Sequence, residues 1–123
     1  MTVLRTGIDL IEISRLEEME PAIRQRFLQR VFTPLELDLL GDSPASLAGR
    51  FAAKEATAKA LGTGIGAISW QEIEIRRGEQ GEPLLILSGK ALEIAHLLGL
   101  QSWSVSISHN RTTAVAVVVA IGD

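Results

Sequence analysis

The chain carries 123 residues, 46% hydrophobic and 22% charged, with 15 Asp and Glu against 12 Lys and Arg for a net charge of −3. That length is read as one domain, residues 1–123, burying roughly two-thirds of its unfolded surface, and the charge gives no overall attraction to nucleic acid. Cysteine is absent, which excludes disulfides and thiolate metal sites; with no apolar run of about 18 residues and no basic-then-apolar leader, the expectation is a soluble cytoplasmic protein that contacts no membrane.

Val3–Ile11 reads as a strand, with Gly7 marking a bulge or a close backbone approach. Asp9 interrupts its apolar run. Ser14 is the better cap for a helix over Arg15–Glu20, which leaves Asp9 without a structural duty and points it towards function. Pro21 suits the first turn of a helix carrying Ile23, Phe27, Leu28 and Val31, and Thr33-Pro-Leu-Glu36 is a capping box opening a short helix that stops near Gly41. Arg15, Arg24, Arg26 and Arg30 make the densest basic segment. Glu17, Glu18 and Glu20 are interspersed, so a solvated face of surface pairs competes there with a docking patch.

Ser43 is the predicted N-cap of a central helix that Gly62 ends. Leu47, Phe51, Ala58 and Leu61 form its apolar stripe, and small Ala53, Thr57 and Ala60 opposite predict packing on most sides. Glu55 is read as lying inside that stripe, where an unpaired carboxylate is costly. The spacing favours an i,i+4 pair with Lys59; the alternative is a metal or phosphate site, with Glu55 as ligand and Lys59 as phosphate partner. The Gly62-Thr-Gly-Ile-Gly66 loop follows a helix, so it matches neither a P-loop nor a dinucleotide fingerprint, though its backbone N–H groups lie open to a ligand.

Trp70–Arg77 alternates as a half-exposed strand, Gly78–Gly81 turns, and Pro83–Ser88 returns as its hairpin partner. Lys90–Leu98 is an amphipathic helix with Leu92, Ala95 and Leu98 inward, and His96 reads as a surface or locally satisfied histidine. Ser102–Ser108 alternates Trp103, Val105 and Ile107 against four serines. After a tight connection over His109–Thr112, Thr113–Ile121 is apolar on both faces. One face needs a helix over it and the other a second cover, for which another subunit is the candidate.

Gly7-Ile-Asp9, Phe51-Ala-Ala-Lys-Glu55-Ala and Ser106-Ile-Ser-His109 occur in that order, with the Gly-Thr-Gly loop after the second. Together, over about residues 5 to 120, they resemble the holo-[acyl-carrier-protein] synthases, the small 4′-phosphopantetheinyl transferases. The resemblance implies an α+β fold, an antiparallel sheet packed against helices. It implies transfer of 4′-phosphopantetheine from coenzyme A to a serine of apo acyl carrier protein, with adenosine 3′,5′-bisphosphate released. Asp9 and Glu55 would hold Mg²⁺ and, with Lys59, form the catalytic group; the serine proton would go to Glu55 or to a metal-held water. Arg50, Lys59, Gly62, Thr63, Gly64 and His109 would bind coenzyme A, although His109 also reads as a strand-end residue capping a turn. Arg15, extended by Arg24 and Arg26, would face the carrier protein, and the sites would lie between subunits of a homotrimer.

Two connections depart from the family pattern. Gly41-Asp-Ser-Pro44 and Gly66-Ala-Ile-Ser69 lack the basic residues family members often carry there, which leaves Arg50, His109 and Arg111 as candidates for the 3′-phosphate. Two competing readings are a non-catalytic binder of coenzyme A or carrier protein and an unrelated Mg²⁺-dependent nucleotide hydrolase. Intact Asp9, Glu55 and Lys59 favour the enzyme.

Overall fold

A computed structural model describes residues 1–123. In chain order the elements are β1 (Val3–Glu12), α1 (Ser14–Glu17), α2 (Pro21–Val31), α3 (Pro34–Leu40), α4 (Pro44–Leu61), β2 (Ile73–Arg77), β3 (Pro83–Leu87), α5 (Gly89–Leu97), β4 (Ser102–His109) and β5 (Thr113–Gly122). Two antiparallel sheets result: β1-β5-β4, and the separate hairpin β2-β3. The fold is α+β.

The larger sheet is seated on α4 by small residues. Ala114, Ala116, Val118 and Ala120 of β5 are buried, as are Ala52, Ala53, Ala56 and Ala60 of α4. Gly7 completes the fit: a Cβ there would collide with the Ala56 carbonyl oxygen, so the glycine serves a close backbone approach and not a bulge. The helix is packed on most sides, as its small faces predict. The sheet's outer face is the opposite case. Leu4, Ile8, Leu10, Val117, Val119 and Ile121 are exposed there, and the register pairs Leu4 with Ile121 and Ile8 with Val117.

The hairpin side is held by a buried ion pair. Lys54 donates to Glu36 Oε1 at 2.7 Å, Ile73 O at 2.6 Å and Trp70 O at 3.1 Å, which uses all three ammonium donors. Glu36 also completes the Thr33 capping box and accepts from the Ile75 N–H at 2.8 Å. Both side chains are fully buried. Burial pulls the Lys54 pKa below its usual value, and the Glu36 carboxylate opposes that.

This corrects the stripe on α4. Leu47, Phe51, Lys54, Ala58 and Leu61 recur at steps of four, three, four and three, so Lys54 is the charge inside the apolar stripe and Glu55 lies at its edge, half-buried. Other expectations also change. Ser14 starts α1 without a side-chain cap, because Ile13 occupies the N-cap position, and α1 ends at Glu17. Trp70–Glu72 is a 3-10 turn, leaving the strand to begin at Ile73. Ala91 and Ala95 face inward from α5, while Leu92 is exposed, since the helix begins at Gly89 and turns a different stripe to the core. The capping predictions for Thr33, Ser43 and Gly62 match the observed helix ends.

Candidate functional site

Alternation along β1 turns Arg5, Gly7 and Asp9 to one face, and that face meets α4. Asp9 reaches the last turns of the helix. Lys59 donates to Asp9 Oδ1 at 3.1 Å and to the Ile8 carbonyl at 2.9 Å. The i,i+4 pair of Glu55 with Lys59 is therefore not formed: the ammonium crosses to β1, where a carboxylate and a carbonyl both accept it.

Glu55 lies one turn earlier on α4, beside Asp9. Burial pushes its carboxyl pKa up, hydrogen bonding and charge repulsion from Asp9 push it further, and Lys59 and Arg15 pull it back. Two carboxyls thus share one nearby ammonium, with Arg15 close enough to be felt. No group of three or more His, Asp or Glu side chains gathers anywhere in the chain, so any cation here would rest on two protein carboxylates.

One turn beyond Lys59, α4 ends at Gly62, whose left-handed φ of 79° lets the chain leave the helix. Gly64 and Gly66 also have positive φ, and Thr63 donates from its hydroxyl to the Gly64 carbonyl at 3.0 Å. The loop backbone therefore opens beside the Asp9–Lys59–Glu55 cluster.

Residues 5–118 match the 4′-phosphopantetheinyl transferase superfamily. The chain belongs to that family. It is 47% identical to the holo-[acyl-carrier-protein] synthase of Herpetosiphon aurantiacus over 98% of this chain and 100% of that one. With the Moorella thermoacetica synthase it shares 50% identity over 95% and 93%. Among solved structures, the Helicobacter pylori synthase in complex with coenzyme A superposes with a TM-score of 0.84 at 40% identity, covering 94% of this chain and 98% of that one. The Bacillus anthracis synthase in complex with CoA (3′,5′-ADP) gives 0.80 at 35% identity, covering 100% of both chains. The chain is a phosphopantetheinyl transferase, an enzyme of the holo-[acyl-carrier-protein] synthase type.

Within one chain, only part of the expected residue set comes together. Asp9, Glu55, Lys59 and the Gly62–Gly64 backbone come together. Arg50 does not join them: it shares the Lys54 flank of α4, near Glu36 and Arg77, and its Nε has no partner. Burial, then Arg77, hold the Arg50 guanidinium below its usual pKa. His109 lies at the end of β4 beside Ser43 and Arg111, in an open cleft of about 450 Å³ at the start of α4. Eighteen residues of helix separate that cleft from Gly62, about 27 Å at 1.5 Å per residue.

Arg15 is exposed, and no acid lies within 4.0 Å of it, of Arg24 or of Arg26; the chain's three ion pairs lie elsewhere. The surface pairs with Glu17, Glu18 and Glu20 are thus not made. Instead, Glu20 caps α2 by accepting from Ala22, and Arg24 donates to the Asp42 carbonyl at 3.3 Å. Sequence reasoning missed Lys54 and Arg5. The four-three spacing carried the signal for Lys54, and the shared parity of residues 5, 7 and 9 carried it for Arg5.

Proposed function

We propose that the chain is a Mg²⁺-dependent holo-[acyl-carrier-protein] synthase, one domain over residues 1–123. It moves 4′-phosphopantetheine from coenzyme A to a serine of apo acyl carrier protein and releases adenosine 3′,5′-bisphosphate. The observation that carries this reading is the Asp9–Glu55 pair, two adjacent carboxyls short of positive charge beside an open glycine loop. That donor set fits Mg²⁺, which takes one or two carboxylates and fills its other positions with water and phosphate oxygens. Bound there, the ion would hold the coenzyme's pyrophosphate and offset its charge.

Lys59 is 54% exposed, which leaves it free to turn from Asp9 to the phosphoryl oxygens as charge builds on them. Glu55, or a water held beside it, would accept the serine proton. As that proton leaves, the serine oxygen bonds to the phosphorus bearing pantetheine, and the bond to the bisphosphate breaks. The Gly62–Gly64 backbone, Thr63 and Lys59 contact the nucleotide side. The relatives bound to coenzyme A support that partner.

Arg50 and His109 reach the same coenzyme from a neighbouring copy in a homotrimer, which the separation along α4 and the exposed apolar face of β1 and β5 both favour. Arg15, near Glu55 and without an acid partner, faces the acidic carrier protein, with Arg24 and Arg26 extending the patch. The metal is tested by running the transfer in EDTA and titrating Mg²⁺ back. Activity should vanish and return; a full rate in EDTA would contradict the metal role.

A further inference from the structure

Arg5 has no part in the reading above. Its Nε donates to the Ala60 carbonyl at 3.0 Å and its Nη2 to the Leu61 carbonyl at 3.4 Å. These belong to the last turn of α4, where carbonyls lack partners further along the helix and the dipole favours a cation. No carboxylate lies within 4.0 Å of the guanidinium. It is a cationic C-cap supplied by a strand.

The segment that leaves this helix end is poorly fastened by itself. Gly62, Gly64 and Gly66 have no side chains to pack and all take positive φ. The loop's other hydrogen bonds are local: Gly62 N–H to Lys59 O at 3.0 Å, Thr63 N–H to Ala58 O at 3.3 Å, and Gly66 N–H to Ile68 O at 3.1 Å. Arg5 is the one side chain from a distant element bonded at the loop's point of departure. A Cβ on Gly62 would lie 3.0 Å from Arg5 Nη2, so the guanidinium packs directly on the first loop residue. The same strand face carries Asp9 four residues later.

We propose that Arg5 is a positioning residue for the coenzyme. By tying the end of α4 to β1, it holds the Gly62–Gly64 backbone in register with the carboxylates that bind the metal. This rests on the coenzyme A reading. Arg5 acts through the loop and makes or breaks no bond.

The test compares Arg5→Met, which keeps length but loses charge and donors, with Arg5→Lys, which keeps charge and one donor group. Titration calorimetry with adenosine 3′,5′-bisphosphate and steady-state kinetics are read together. Arg5→Met should weaken bisphosphate binding and raise KM for coenzyme A roughly 5- to 10-fold. The carrier-protein KM and kcat should stay within about twofold, with faster amide exchange over Gly62–Gly66 and most of the loss recovered by Arg5→Lys. Unchanged bisphosphate affinity in Arg5→Met, or parallel rises in both KM values, would overturn the proposal. Should Arg5→Met fail to fold, Arg5→Gln carries the same comparison. A wild-type chain that binds bisphosphate but never labels carrier protein defeats the transferase reading alone, since the calorimetric comparison still decides the role of Arg5.

Discussion

At the scale of single residues, the Asp9–Glu55 pair makes two opposed demands. Without a cation, the pair is a like-charge contact that disfavours the fold; with the proposed Mg²⁺ bound, it would be the ligand set. Asp9→Ala or Glu55→Ala should abolish Mg²⁺-dependent transfer and leave the circular dichroism spectrum unchanged. Glu55→Gln should be nearly as inactive, because it keeps the shape and loses the charge that holds a cation. Its stability should move the other way. Folded Glu55 holds its proton more tightly than the unfolded chain does. The associated stability is fully present below the ordinary glutamate pKa and is lost as pH rises through the raised folded value. Metal-free wild type should therefore melt lower as pH climbs through that window. Glu55→Gln should show no such loss and melt above wild type at neutral pH. Parallel melting curves for the two across the pH range would show that burial and Asp9 do not raise the proton affinity of Glu55 in the folded chain.

At the scale of elements, α4 is gripped on two sides. Gly7 admits it against the sheet, and the Lys54–Glu36 pair locks it to α3 and the β2-β3 hairpin. Removing one partner of a buried pair strands the other charge. Lys54→Met should cost about 3–5 kcal/mol, and Lys54→Met with Glu36→Gln should recover part of that, because the stranded carboxylate is gone. Denaturant melts of the two variants check both signs.

Local chemistry made much of this legible in the sequence. Thr33, Ser43 and Gly62 punctuate helices through their own side chains or their lack of one, so the central helix and its loop followed directly. The segments of β2 and β4 alternate strictly enough to fix their faces. What escaped depended on partners far away in the chain. Local spacing does not reveal Lys54, whose acceptors come from residues 36, 70 and 73, and it pairs Lys59 with Glu55 because Asp9 stands 50 positions earlier. Periodicity alone turns Leu92 inward, while the core accepts the smaller Ala91 and Ala95.

At the scale of the whole molecule, the exposed outer face of β1 and β5 and the distance between the Gly62 loop and His109 support the proposed assembly of several copies. Val117 is exposed on that face, whereas Val118 is buried against α4, so a charge belongs at the former. Val117→Glu should dissociate the proposed trimer and lower activity with it. Sedimentation that finds a fully active wild-type monomer would refute the assembly. Carrier recognition is also a property of the whole surface, since the chain is net negative and attraction must be local. Arg15→Glu should raise the carrier-protein KM strongly and the coenzyme A KM little, and added salt should weaken wild-type kcat/KM for carrier protein. An unchanged carrier KM would remove Arg15 from the docking patch. The most direct measurement is the mass of an apo acyl carrier protein after incubation with the enzyme, coenzyme A and Mg²⁺. It should rise by one phosphopantetheine group, on its serine, with adenosine 3′,5′-bisphosphate released in equal amount. An unmodified carrier protein, or bisphosphate released without a carrier present, would contradict the transferase.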